Sequence, residues 1–151
     1  MRKFTRIALI LMMLPAAFAF SISGDAEDTN NDGVPDQWIS VDAEEDITTV
    51  KSDRDFDGKI DYRLDFDEFG DKIYEVLDFN YDGTMDDYYF YSEGGVLERR
   101  EIDSNFDGNI DIWVYIHKGV YIEKYKRDTD FDGTVDVVKD FSGEEKKAES
   151  E

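Results

Sequence analysis

Residues 78–86 read Asp-Phe-Asn-Tyr-Asp-Gly-Thr-Met-Asp, and residues 87–92, Asp-Tyr-Tyr-Phe-Tyr-Ser, follow them directly. The first nine residues carry oxygen-bearing side chains at positions 1, 3, 5 and 9 and a glycine at position 6. Asp, Asn and Gly are the residues that tight turns favour. The following six residues are mostly aromatic, which suits a strand. The stretch therefore predicts an acidic loop that leads into a β-strand.

The same nine-residue pattern occurs five times. Its copies begin at residues 28, 53, 78, 103 and 128, so the spacing is 25 residues without insertion or deletion. Every copy has Asp at positions 1, 5 and 9, Asp or Asn at position 3, and Gly at position 6. A single copy is ordinary turn chemistry. Five copies in register indicate a repeated structural unit.

The spacing of the oxygen-bearing residues matches the needs of a calcium ion. Calcium takes about 6–8 oxygen ligands at short range. A tight loop can aim side chains 1, 3 and 5 at one point, and Gly at position 6 permits the bend that brings in the carbonyl of residue 7. Position 9 can then bind directly or through water. The sequence thus predicts about five calcium ions, held by Asp28, Asn30, Asp32, Val34, Asp36, Asp53, Asp55, Asp57, Lys59, Asp61, Asp78, Asn80, Asp82, Thr84, Asp86, Asp103, Asn105, Asp107, Asn109, Asp111, Asp128, Asp130, Asp132, Thr134 and Asp136.

The nine-residue core resembles the calcium loops of EF-hands, dockerins and thrombospondin type 3 repeats. The array as a whole resembles secreted bacterial proteins built from D-x-[DN]-x-D-G-x-x-D repeats, and this resemblance covers residues 28–142. It implies calcium binding and says little about biological role. One departure is clear, because an EF-hand loop ends with a bidentate Glu at position 12. Here that position is occupied by Ile39, Leu64, Tyr89, Val114 and Lys139. Either the sites are weak, or the Asp at position 9 or a carboxylate from a neighbouring repeat completes the shell.

The segments between the loops favour strands over the helices that flank EF-hand loops. They are aromatic and β-branched with a period of two, as in Tyr62–Phe66 and Ile112–Ile116. A turn and a second short strand follow in each repeat. We expect an all-β fold, an antiparallel meander or solenoid-like array of five loop-strand-turn-strand repeats over residues 28–142, with the calcium loops along one edge. The aromatics at position 4 are expected to pack between successive loops.

Composition excludes several classes of function. The chain of 151 residues has 38 acidic against 17 basic residues and a net charge of −21, which argues against nucleic-acid partners. It has no Cys, so disulfides, Cys-ligated zinc and thiol catalysis are excluded. The one histidine, His117, is interpreted as a solvated strand-end residue. No catalytic motif is found, so we expect no enzymatic activity.

The N-terminus predicts export. Arg2, Lys3 and Arg6 precede an apolar run over residues 7–14, and Ala17-Phe18-Ala19 is a small-x-small cleavage pattern. This is typical of a signal peptide over residues 1–19, and the run is too short for a membrane span. No Cys offers a lipid-attachment site. We therefore expect a secreted or periplasmic protein, with a linker over residues 20–27 and a disordered tail over residues 143–151.

Three functional hypotheses follow from these patterns. The favoured one is a secreted, non-enzymatic repeat protein in which calcium stabilises a structural or adhesive β-scaffold. The second is a module that binds an extracellular protein or glycan through an aromatic sheet face that includes Trp38 and Trp113. The third is a calcium buffer or sensor that opens like an EF-hand, which requires helices.

Overall fold

A computed structural model describes residues 26–42 and 46–143, which form ten strands and no helix. The strands are short, and most contain alternating apolar and polar residues that suit the two faces of a sheet. Their bounds are β1 (Ala26–Glu27), β2 (Gln37–Val41), β3 (Ile47–Ser52), β4 (Tyr62–Phe66), β5 (Lys72–Leu77), β6 (Asp87–Ser92), β7 (Val96–Ile102), β8 (Ile112–His117), β9 (Tyr121–Arg127) and β10 (Val137–Asp140).

All ten strands belong to one open antiparallel sheet in which the spatial order equals the chain order. Because each strand pairs with the next, the chain reverses alternately at one edge and at the other. The five acidic loops lie between odd and even strands and share one edge, which we call the loop edge. The four connections between even and odd strands share the opposite edge, which we call the turn edge. The predicted all-β meander is confirmed.

The register aligns equivalent residues of successive repeats in straight rows across the sheet. Since the repeat is 25 residues long and contributes two strands, the same position recurs on the same face at every second strand. One face carries an aromatic and basic row, formed by Trp38, Lys51, Arg63, Val76, Tyr88, Glu101, Trp113, Lys126 and Val138. The other face carries a more aliphatic row, formed by Ile39, Val50, Leu64, Glu75, Tyr89, Arg100, Val114, Tyr125 and Lys139.

The apolar interior is small. Among the described residues only Leu64, Phe66 and Val76 are buried hydrophobic side chains. Neighbouring side chains on each face cover one another instead. The Tyr74 and Phe90 rings lie 5.5 Å apart, and the Arg99 guanidinium lies 4.1 Å from the centroid of the Phe90 ring. Such cross-strand pairs stabilise a sheet in the absence of a second layer.

The sheet begins before the first acidic loop. Strand β1 (Ala26–Glu27) pairs with β2, and it lies in the segment predicted to be a linker. It stands in the same relation to the first loop as β3 does to the second, because its residues precede the loop and pair with the strand that follows it. The predicted signal peptide lies outside the described residues, as does residue 144 onward of the predicted tail. The described residues contain no helix long and apolar enough to cross a membrane.

Candidate metal centre

The loop edge contains the most buried side chains of the described structure, and they are aspartates. Asp61 and Asp78 are each 1 % exposed, and Asp86 is 2 % exposed. These residues occupy positions 1 and 9 of their loops. The same two positions are buried throughout the middle of the array, and only the terminal members Asp28 and Asp136 are more open. Burying unpaired carboxylates is costly, so each loop must provide compensation.

Backbone N–H groups provide part of that compensation at position 1. In the third loop, Asp78 Oδ1 accepts a hydrogen bond from the Tyr81 N–H at 2.7 Å, and Asp78 Oδ2 accepts one from the Gly83 N–H at 2.7 Å. The second, fourth and fifth loops repeat both contacts. The position-1 carboxylate therefore organises the loop, because it takes the N–H groups that no strand partner reaches.

Position 9 closes the loop from the other side. Asp86 Oδ2 accepts a hydrogen bond from the Phe79 N–H at 2.8 Å, and the equivalent contact exists in every loop. A hydroxyl at position 2 adds a second donor in three loops, through Thr29, Ser104 and Thr129. Sequence analysis missed these hydroxyls, although their recurrence at one position was a visible signal.

Successive loops are joined to each other through the backbone. The N–H of position 1 in each loop donates to the carbonyl of position 9 in the loop before, as Asp78 does to Asp61 at 2.8 Å. The other three junctions have the same bond. The buried Asp at position 9 of one loop is therefore hydrogen-bonded to the buried Asp at position 1 of the next. Buried carboxylates thus recur along the whole loop edge.

Positions 3, 5 and 7 form a more exposed part of each loop. The N–H of residue 7 donates to the Oδ1 of the position-5 Asp in all five loops, at 2.7–2.9 Å. In the loops with Asn at position 3, its side-chain Nδ2 donates to the Oδ2 of the same Asp, at 2.9–3.0 Å. The amide thus has a donor role that sequence analysis did not predict for Asn30, Asn80 and Asn105.

The loops with Asp at position 3 bring carboxylates closest together. In the second loop, one oxygen from each of Asp53, Asp55, Asp57 and Asp61 lies within 4.8 Å of the others. In the fifth loop, Asp128, Asp130 and Asp136 meet the same distance limit. These predicted ligands therefore converge, whereas in the Asn-containing loops the position-3 side chain contacts the position-5 Asp through its amide.

The electrostatics of the loops follow from these contacts. The Asn80 amide holds the pKa of Asp82 below its ordinary value, and the Asn105 amide does the same for Asp107. The negative charges of Asp132 and Asp136 raise the pKa of Asp130. Burial raises the pKa of Asp86, even though two backbone N–H groups oppose the shift. The fifth loop thus carries repulsion that the position-3 amide relieves in the third and fourth loops.

One atom indicates that a cation fits. Asp86 Oδ1 is buried and has no hydrogen-bond partner, whereas the Oδ2 of the same carboxylate accepts N–H donors. A buried carboxylate oxygen without a donor is destabilising, and a calcium ion at the centre of the loop would satisfy it. The donor set of carboxylates, amides and carbonyls is the one calcium prefers, and it suits zinc or copper less well.

The residue at position 4 of each loop has an unusual backbone conformation. The residue at this position has a positive φ of 62–66° in all five loops. This left-handed conformation is uncommon for residues other than glycine, and the four aromatic residues at this position are 41–49 % exposed. Their packing between successive loops stays a prediction. They form a line along the loop edge, comprising Phe56, Tyr81, Phe106 and Phe131.

Outside the loops, His117 and a neighbouring cleft lie near the turn edge. His117 lies at the end of β8, stacks on Tyr121 at a centroid distance of 5.1 Å, and lies 3.7 Å from Glu123. It borders an open cleft of about 700 Å³ on the turn side of the sheet. The aromatic rings of that cleft are already covered, Phe90 by Arg99 and Tyr115 by Lys126 at 5.5 Å.

Comparison with known proteins adds little. No family model matches the chain, and no curated protein matches it in sequence. Among solved structures, it is similar to a chain in the crystal structure of accessory secretory protein 1,2 and 3 in Streptococcus pneumoniae, with a TM-score of 0.43 and 12 % identity. The similarity covers 75 % of this chain, which spans 21 % of the other. A likeness this weak carries no argument about function.

Proposed function

We propose that this protein is a secreted calcium-binding repeat protein without enzymatic activity, in which calcium stabilises a structural or adhesive β-scaffold. The observation that carries the proposal is the burial of aspartates at positions 1 and 9 along the loop edge, with Asp86 Oδ1 lacking any donor. Hydrogen bonds alone leave these carboxylates close to one another. A divalent cation in each loop would turn that repulsion into attraction.

Each loop offers the proposed ligands from a short segment of chain. The side chains at positions 1, 3 and 5 supply three oxygens, the carbonyl of position 7 supplies a fourth, and Asp at position 9 supplies one or two more. Water completes the shell. Because no Glu occupies position 12, we expect affinities in the range of extracellular modules, about 10⁻⁴–10⁻³ M. Such sites are filled where calcium is millimolar, which agrees with the proposed export.

A sensor role of the EF-hand type is not favoured. Sensors of that class respond by changing the angle between two helices, and the described residues form strands only. A glycan-binding role for the aromatic face receives no specific support, since Phe90 and Tyr115 are covered by basic side chains. The scaffold role therefore remains the proposal.

Calorimetric titration of the full chain with calcium tests this function, together with far-UV circular dichroism before and after chelation. We expect about five ions to bind and the β-signal to strengthen. Magnesium serves as the control, because it keeps its waters and prefers a small octahedral shell. A chain that is folded in chelator and binds no calcium would overturn the proposal. Amino-terminal sequencing of protein exported by a bacterial host tests cleavage after Ala19.

A further inference from the structure

The second and fifth loops have the same ligand residues but differ in their electrostatic surroundings. Both have Asp at position 3, so both contain four carboxylates at positions 1, 3, 5 and 9. Position 7 is Lys59 in the second loop and Thr134 in the fifth. The first, third and fourth loops, which have Asn at position 3, contain three such carboxylates each.

Lys59 makes contacts in two loops at once. Its Nζ lies 3.1 Å from Asp57 Oδ2 in its own loop and donates to the carbonyl of Asp82 in the third loop at 3.2 Å. Its stem crosses Gly83 so closely that a Cβ added there would lie 2.7 Å from Lys59 Cδ. The side chain therefore lies along the surface of the neighbouring loop, although it is about half exposed.

The ammonium takes the place that an amide occupies in other loops. Asp57 Oδ1 accepts the backbone N–H of Lys59, and Oδ2 faces its ammonium, so one residue contacts both carboxylate oxygens. In the first, third and fourth loops, the second oxygen is held by the amide of the position-3 Asn. Among the described residues, no side-chain donor reaches Asp132 Oδ2 in the fifth loop. Arg54 at position 2 and Lys59 at position 7 bring the net charge of the nine-residue second loop from −4 to −2, against −3 in the Asn-containing loops and −4 in the fifth loop.

We propose that Lys59 is a built-in counter-ion, which holds the second loop in shape without metal and must leave Asp57 before a divalent cation can bind there. This inference rests on the proposed calcium function. The second loop is then the weaker of the two four-carboxylate sites and the less dependent on metal. The fifth loop, which lacks such a cation, is the stronger site. Displacement of Lys59 from Asp57 also changes the hydrogen bond that Lys59 donates to the Asp82 carbonyl. Cation binding at the second loop therefore alters the surroundings of the third loop.

Exchange of the position-7 residues tests the proposal. Lys59→Thr gives the second loop the residue found in the fifth, and Thr134→Lys makes the reverse change. Lys118→Asn on the turn edge is the control, because it removes one exposed positive charge far from the loops and Asn tolerates the φ of 48° at this position. Calcium titration of the full chain is followed by NMR through the amide signals of Gly58 and Gly133, which report the two loops separately.

We expect Lys59→Thr to tighten calcium binding at Gly58 by about tenfold and Thr134→Lys to weaken it at Gly133 by a similar factor. In chelator, Lys59→Thr should lower the thermal midpoint relative to Lys118→Asn and shift the Gly83 amide signal. Unchanged affinity at Gly58 in Lys59→Thr would overturn the inference and leave the calcium function standing. If no glycine signal responds to calcium in any variant, the calcium function fails. In that case, an unchanged thermal midpoint of Lys59→Thr in chelator would also overturn the counter-ion role of Lys59. A lowered midpoint would show that Lys59 stabilises the loop without any role in calcium binding.

Discussion

The two edges of the sheet reverse the chain by different means. At the turn edge, backbone hydrogen bonds close the reversal, as when the Gly95 N–H donates to the Ser92 carbonyl at 3.0 Å and the Val120 N–H to the His117 carbonyl at 2.9 Å. In two of the four turns an aspartate, Asp42 or Asp67, accepts further N–H groups. At the loop edge, carboxylates close it by taking N–H groups from inside each loop. A reversal closed by the backbone leaves its side chains free to vary. One closed by carboxylates requires the same residue in every copy.

The difference explains why the repeat is strict at one edge and loose at the other. Positions 1, 5 and 9 are Asp in every loop, whereas the turns contain residues as different as Glu68, Glu93 and Lys118. Only the loop edge concentrates like charges in buried positions. Four experiments test whether this difference is functional.

Calcium removal should have the largest effect. If each loop sees calcium at about ten times its dissociation constant, each contributes about 1.4 kcal/mol and five contribute about 7 kcal/mol to the free energy of unfolding. Domains have total stabilities of about 5–15 kcal/mol. Urea unfolding in calcium and in chelator measures the change, with magnesium as the control. Equal unfolding midpoints under both conditions would mean that the two edges differ only in hydrogen bonding.

Removal of one buried carboxylate by mutation should have the second-largest effect on stability. Asp78→Ala removes the acceptor for the Tyr81 and Gly83 N–H groups, and we expect it to lower the free energy of unfolding in chelator by about 2–3 kcal/mol. Glu93→Ala in an exposed turn should change it by less than about 0.5 kcal/mol. Chemical denaturation of both variants measures the contrast. Similar effects at the two sites would show that the carboxylate does not organise the loop.

A smaller gain is expected from Asp130→Asn in the fifth loop. The new amide can donate to Asp132, as Asn80 does to Asp82, and the substitution removes the carboxylate whose pKa the charges of Asp132 and Asp136 raise. We expect the chain in chelator to become slightly more stable, which a rise in its urea unfolding midpoint measures, while calcium binding at Gly133 becomes weaker. Glu68→Gln on the turn edge removes the same charge without the amide contact. A loss of stability in Asp130→Asn would contradict this account.

The smallest expected effect is the loss of stability at low pH. Hydrogen-bond donors hold the pKa values of Asp57, Asp82 and Asp107 below the ordinary 3.8. A depressed pKa gives stability that is present above the unfolded value and is lost as pH falls through the folded value. In chelator, these groups should therefore begin to lose their contribution only below about pH 4. Carbon-13 NMR of the carboxyl groups measures each titration, and midpoints above 3.8 would exclude the proposed donors.

Much of the fold could be predicted because its information is local and repeated. The period of two in Ile112–Ile116 decides which side chains share a face, and Gly at position 6 marks where each loop bends. The segment expected to form a strand over residues 96–102 is strand β7. Repetition at a constant 25 residues then fixes which strands are neighbours.

What could not be predicted depends on contacts between loops or on backbone detail. The reach of Lys59 to Asp82 joins residues 23 positions apart, and nothing in its local sequence distinguishes it from a solvated lysine. The positive φ of Phe56, at 66°, is likewise not suggested by the identity of the residue. The register shift near each turn, as between Phe90 and Tyr91, also has no sequence signal that we recognise.

The register has a consequence for length. Strands β1 and β10 do not pair with each other, so no closing contact fixes how many repeats the sheet contains. One more unit of 25 residues would meet the same neighbours as every other unit, and it would widen the molecule by about 10 Å. The width of the sheet, measured across its strands, can therefore vary with the number of repeats. Evolution could add or remove whole repeats in such a protein without changing the contacts between the repeats that remain.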